Sequence, residues 1–286
     1  MGVGGASRET RTRRDAAIRR LGFISGLLMG LVAVAPVQAE DTIHVFVALA
    51  DNDSQGIVSV PPKLGDGNDP DNNLYWGALY GVKTHFRRSP RWHQVPLAGP
   101  PGEGVLERVA FEHKASGTML VADAYRGNRI NQAMSDFLVS AAGHGFQRQI
   151  VREDEKTQTL SLGGGASLLV FVGHNGLMDL ESPEAFVAQL PAADPAEAQS
   201  APLREAIVLA CLSERFFAPI LKRAGARPLL MTASLMAPEA YSLEAALEGW
   251  IGQETPAQIR QRAAQSYAEY QRIRVKSALR VFTAEP

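Results

Sequence analysis

The 286-residue chain is 45% hydrophobic and 21% charged, carries a formal net charge of −1 and contains a single cysteine. That apolar fraction excludes a disordered chain, and the near-balance of charge removes the basic footprint of a dedicated nucleic-acid binder. One thiol excludes an intramolecular disulfide and any cysteine-built zinc or iron–sulfur site.

In chain order, residues 8–20 carry six arginines, and an apolar stretch from Leu21 to Ala35 leads to Pro36-Val37-Gln38-Ala39. This is the basic region, apolar region and small-residue cleavage site of an export signal over residues 1–39. The apolar run falls short of the roughly 20 residues that a bilayer-spanning helix needs. Cleavage after Ala39 leaves 247 residues with 23 basic against 28 acidic side chains, a net charge of −5. The mature chain, residues 40–286, is therefore expected to be periplasmic or secreted, with no nucleic-acid partner and no stable membrane anchor.

Residues 43–50 (IHVFVALA) form an apolar run suited to a buried parallel strand. A loop rich in Asp, Gly and Pro follows over 51–73, long enough to be functional. Leu74, Ala78, Leu79, Val82 and Phe86 recur at helical spacing, and 92–97 and 105–125 read as extended, with a turn at 114–117. Residues 130–141 make an amphipathic helix with Asn128 as its cap and Gly143 as its stop. Gly163-Gly164-Gly165 lacks the ending of a phosphate loop and reads as a turn. Further strands are expected at 167–173, 205–210 and 227–232, with a helix and a loop over 181–202 between the first two. A helix capped by Ser213 is expected despite Pro219, then helices over 239–251 and from Thr255-Pro256 to about 274. Alternating strands and helices of this kind predict an α/β fold: a mostly parallel sheet with helices on both faces, in one domain with a helical elaboration from about residue 253.

In such sheets functional groups collect beyond the carboxyl ends of the strands. Asp51-Asn52-Asp53 follows the first strand, His174-Asn175-Gly176 follows 167–173, and Cys211 follows 205–210. A cysteine nucleophile needs a nearby base and N–H donors for an oxyanion. His174 supplies the first; the main chain of Asn175, Gly176 and Cys211 supplies the second. Cys211 and His174 can equally be read, each alone, as a small buried residue and a hydrogen-bonded loop histidine. Their occurrence after matched apolar runs favours the chemical reading.

The segments LLVFVGHNG (168–176) and AIVLACLS (206–213) resemble the caspase-like cysteine peptidases, the group of caspases, metacaspases, legumains, gingipains and separases. TASLMAPEAYS (232–242) is similar to the family's segment after its fifth strand. The resemblance implies a caspase-like fold, Cys211 as nucleophile, His174 as general acid/base and a protein or peptide substrate. It also implies a residue after the first strand, Asp51 or Asp53, that selects a basic P1 side chain. The family has Gly directly after the histidine, where this chain has Asn175 and then Gly176. Two alternatives stay open: a non-peptidase Cys–His hydrolase or transferase on the same scaffold, and an inactive binding module whose Asp-rich loop holds calcium or a partner. No cofactor is called for. Asp51-x-Asp53-x-x-Gly56 imitates the start of a calcium loop, but its twelfth position is Pro62 rather than Glu. The 181–202 segment is the expected place for an activating cleavage.

Overall fold

The computed structural model describes residue 1 and residues 41–153, 156–190 and 204–286. The expected export signal, apart from residue 1, and much of the 181–202 segment therefore lie outside the described residues. Residues Ala39–Pro286 group as one compact unit.

Five apolar runs form the parallel centre: β1 (Thr42–Ala48), β5 (Met119–Tyr125), β8 (Leu168–Val172), β9 (Glu205–Leu209) and β10 (Arg227–Thr232). Antiparallel strands extend the sheet at both edges. On one side these are β4 (Val105–His113) and β2 (Trp92–Val95), on the other β11 (Phe282–Ala284), giving the order β11-β10-β9-β8-β1-β5-β4-β2. Three strands, β3 (Leu97–Ala98), β6 (Gln147–Glu153) and β7 (Lys156–Leu162), make a separate antiparallel sheet. The fold is α/β, with a mostly parallel eight-stranded mixed sheet flanked by helices.

Both faces of the central strands are apolar because both are covered. Ile43, Val45 and Val47 pack against α1 (Val82–Arg88), α6 (Ala240–Ile251) and α7 (Pro256–Gln271). Phe46 and Ala48 point the other way, onto α2 (Ile130–Ala141) and α5 (Ala218–Arg223). Each fully buried aliphatic or aromatic side chain in these layers contributes about 1.5–3 kcal/mol. The small sheet packs on the α2 face through Val121, Val151 and Leu160. There Asp123, on β5, accepts Arg108 Nε at 2.5 Å and Nη2 at 2.6 Å, and lies 3.1 Å from His44 Nε2. His44 Nδ1 accepts the Gly163 N–H, which fixes the ring's other nitrogen as the donor to Asp123.

Several sequence expectations are corrected. The helical spacing from Leu74 yields turns until Val82, because Asn73 organises the backbone: its side chain bonds both main-chain groups of Ala50 and the carbonyl of Asp66. Asn128 is no cap; Gly127–Arg129 form a 3₁₀ turn that leads directly into α2. Ser213 does not cap by its side chain. It opens α4 (Ser213–Phe216), and Pro219 falls in the first turn of α5, where its missing N–H costs nothing. The helices expected after residue 253 are present and join the core. Ile259, Ala263 and Tyr267 of α7 belong to the main core, and the chain returns through α8 (Val275–Ala278) to β11. The short helix α3 (Pro183–Ala188) begins the 181–202 segment.

Candidate active site

The positions of His174 and Cys211 follow from strand register. β8 and β9 pair in parallel from Leu168↔Glu205 to Val172↔Leu209, so each residue of β8 faces the one 37 positions later. The same offset separates His174 from Cys211. Both therefore leave neighbouring strands, about 4.8 Å apart in a parallel sheet, at the same level of the carboxyl edge. Gly173 makes this exit possible: its φ is +150°, and a Cβ there would meet the Ala48 carbonyl at 2.9 Å.

Asn175 joins the two strand ends. Fully buried, its side chain donates from Nδ2 to the Cys211 carbonyl at 2.7 Å and accepts the Leu177 N–H at Oδ1, 3.2 Å away. The cysteine loop is also held from β10. Ser213 Oγ donates to the Val208 carbonyl and accepts the Thr232 N–H, each at 2.9 Å, while the Thr232 hydroxyl donates to the Ala210 carbonyl. Leu212, next to the cysteine, is left-handed with φ 51°, a conformation costing a non-glycine residue about 1–2 kcal/mol. Its N–H donates to the Ser234 carbonyl at 3.1 Å, which helps hold that turn. Strain of this kind beside a reactive group is a feature of functional sites.

Cys211 is half-buried. Its sulfur accepts the Met236 N–H at 3.4 Å and lies 3.6 Å from the Met236 carbonyl. The segment 232–242 thus reaches the thiol through Met236. His174 is 8% exposed, and its Nε2 lies 2.7 Å from Asp179 Oδ2. A carboxylate offers only acceptors, so this contact places a ring proton on Nε2, and in the neutral tautomer Nδ1 is the acceptor. Among the described residues no hydrogen bond joins His174 directly to Cys211. Met236 and Asp179 both escaped the sequence reading. The signal for Asp179 was the Asn175-Gly176 turn pair, which folds into a 3₁₀ turn over Gly176–Met178 and returns the chain beside His174.

The three expected oxyanion donors separate. The Gly176 N–H is engaged by the His174 carbonyl at 3.2 Å, which removes it from that role as the loop stands. The N–H groups of Asn175 and Cys211 make no such turn bond among the described residues.

The two candidate specificity residues also separate. The Asp51 carboxylate is buried and turned into its own loop, where Oδ1 accepts the Asp53 N–H at 3.0 Å and Oδ2 the Ser54 hydroxyl at 2.7 Å. Asp53 is exposed. The loop reaches the histidine, since the Gly56 N–H donates to Asp179 Oδ2 at 3.0 Å. Other acids of the loop also serve local turns: Asp66 accepts the Asn68 N–H, Asp69 the Asp71 N–H, and Asp71 meets Lys83. Among the described residues no three acid, histidine or cysteine side chains converge as a metal site. Nor is any described helix long and apolar enough to cross a membrane.

A cavity of about 480 Å³ opens at the opposite, amino edge of the strands, between Asp41, Thr118, Glu205 and Arg227. Within it Glu205 bonds Arg227 and accepts Trp250 Nε1 at 2.6 Å, while Glu254 pairs with Arg262 outside it. The half-buried Cys211 and the buried His174 lie at the other, carboxyl edge. Compared with known protein-family models, curated proteins and solved structures, the chain matches none of them.

Proposed function

We propose that the chain is a caspase-like cysteine peptidase in which Cys211 is the nucleophile and His174 the general acid/base. One observation carries the reading. The β8–β9 register sets His174 and Cys211 at the same level of adjoining parallel strands, with Asn175 bonding one strand end to the other. Cys211 Sγ attacks the scissile carbonyl carbon while its proton passes to His174 Nδ1. The resulting oxyanion faces the main-chain N–H groups of Cys211 and Asn175. His174 then gives the proton to the departing amine, leaving a thioester. Water, deprotonated by His174, attacks the thioester, and the acid product leaves as the thiol is restored.

Asp53, exposed on the loop that touches the His174–Asp179 pair, is the proposed reader of a basic P1 side chain. Asp51 shapes that loop. The test is turnover of fluorogenic peptide amides ending in Arg, Lys, Leu or Asp. The expected result is cleavage after Arg and Lys, abolished by Cys211→Ala and reduced roughly 10²–10⁴-fold by His174→Ala, the usual contribution of a general acid/base. Asp53→Asn is expected to raise KM for the basic peptides, and Asp51→Asn to lower stability first. Ester cleavage without amide cleavage would favour the non-peptidase hydrolase instead.

A further inference from the structure

Asp179 is bonded at one oxygen to two different parts of the site. Oδ2 lies 2.7 Å from His174 Nε2 and 3.0 Å from the Gly56 amide nitrogen. Both partners must donate, because an ionised carboxylate only accepts. The histidine side of the contact is buried while the Asp179 side chain is 37% exposed, so the pair lies at the mouth of the site. The loop side is fitted to the carboxylate. A Cβ on Gly56 would come within 2.4 Å of Asp179 Oδ1, so a side chain there displaces the acid from the amide. Gly56 directly follows the turn that Asp51 organises, three residues after Asp53. That turn is closed by the Gln55 N–H on the Asp51 carbonyl, and Gln55 Nε2 ties it down to the Leu49 and Gly127 carbonyls at 2.8 and 2.9 Å.

We propose that Asp179 is a positioning residue that holds His174 in the Nε2–H tautomer and fastens the 51–57 substrate loop to the catalytic base. The inference rests on the Cys211–His174 reading above. A histidine without this partner exchanges its proton between two nitrogens, and only the form bare at Nδ1 can accept the thiol proton. With Asp179 in place, a loop that carries the P1-reading Asp53 and a histidine that performs proton transfer share one anchor. Seating of substrate on the loop then bears on the base through the Gly56 N–H.

The experiment compares wild type with His174→Ala, Asp179→Asn, Asp179→Glu and Gly56→Ala. Three measurements are made on each: iodoacetamide alkylation of Cys211 by mass spectrometry, kcat and KM on an Arg-peptide amide, and ¹⁵N NMR of the His174 ring. Asp179→Asn is expected to lower kcat with little change in KM. The loss is roughly 10–10³-fold, below the 10⁴ found when the tautomer-fixing Asp of a serine protease is made Asn. Its ring spectrum changes from Nε2–H to a mixture of tautomers. Asp179→Glu restores part of the rate, and Gly56→Ala lowers kcat and raises KM together. An Asp179→Asn protein with unaltered ring signals and kcat within about twofold of wild type overturns the proposal, given the 10²-fold scale of general acid–base effects. Slow alkylation in His174→Ala beside normal alkylation and turnover in Asp179→Asn overturns the role of Asp179 alone. Normal alkylation and turnover in His174→Ala overturns the Cys–His pair, and this proposal with it.

Discussion

Asn175 occupies the place where the resembling peptidases have glycine, and its surroundings account for the difference. A glycine there would leave the Cys211 carbonyl and the Leu177 N–H without the partners they have in the buried amide. Unsatisfied buried groups of this type cost about 1–3 kcal/mol. Asn175→Ala is accordingly expected to lose that much stability, read as a fall in thermal midpoint of about 2–4 °C per kcal/mol. Cys211 alkylation should slow with it, because the strand ends are no longer joined. An unchanged midpoint would mean that the Asn175 bonds are not needed. At this scale the sequence made His174 and Cys211 legible, since apolar runs and a shared offset mark strand ends. It did not reveal that Asp51 turns inward while Asp53 stays exposed. Both are acids in one loop, and only the folded turn decides which oxygens are already occupied.

The helices and strands that position the site were read to the extent that one residue pattern dominates. Apolar runs exposed the five central strands, and Thr255-Pro256 exposed the start of α7. The hairpin of β6 and β7 was missed because QRQIVRE and KTQTLSL are largely polar and lie across from each other rather than in the main sheet. β11 was missed because three residues carry no period; it exists by pairing with β10. The apolar spacing from Leu74 misled for the opposite reason, since Asn73 imposes turns on a segment whose pattern is helical. Thr255 at the start of α7 makes a reciprocal capping box with Gln258. Thr255→Ala is expected to cost about 1 kcal/mol and to leave peptide turnover unchanged, the start of the helix lying at the amino-edge cavity that Gln253, Glu254 and Ile259 line. Matched melting curves for variant and wild type would contradict it.

At the scale of the whole molecule, Arg108 joins the two sheets, donating to Gln147 and Gln149 of β6 at 3.0 and 3.1 Å. Burial alone would push the Asp123 carboxyl up, but hydrogen bonds from Arg108 and His44, with the Arg108 charge, outweigh it and hold it below the ordinary 3.8. Glu244 behaves similarly: burial pushes it up, and His85, Ser89 and Arg91 bring it below the ordinary 4.5. A depressed acid stabilises the fold above its unfolded value and loses that contribution as pH falls through its folded value. Acid unfolding is therefore expected below about pH 4, the unfolded carboxylate range. Asp123→Asn should lose about 3–5 kcal/mol at neutral pH, the usual effect of breaking a buried ion pair. In urea unfolding the gap to wild type should narrow as the pH drops below the Asp range; a gap independent of pH would contradict the assignment. The most direct test of the central claim is covalent trapping by a peptidyl-arginine acyloxymethyl ketone, read by intact mass and peptide mapping. The account predicts one adduct, on Cys211, formed with loss of the carboxylate leaving group. That adduct should be absent in Cys211→Ala, strongly slowed in His174→Ala, and formed faster than with the leucine analogue. No adduct at Cys211, or labelling indifferent to His174, would contradict it.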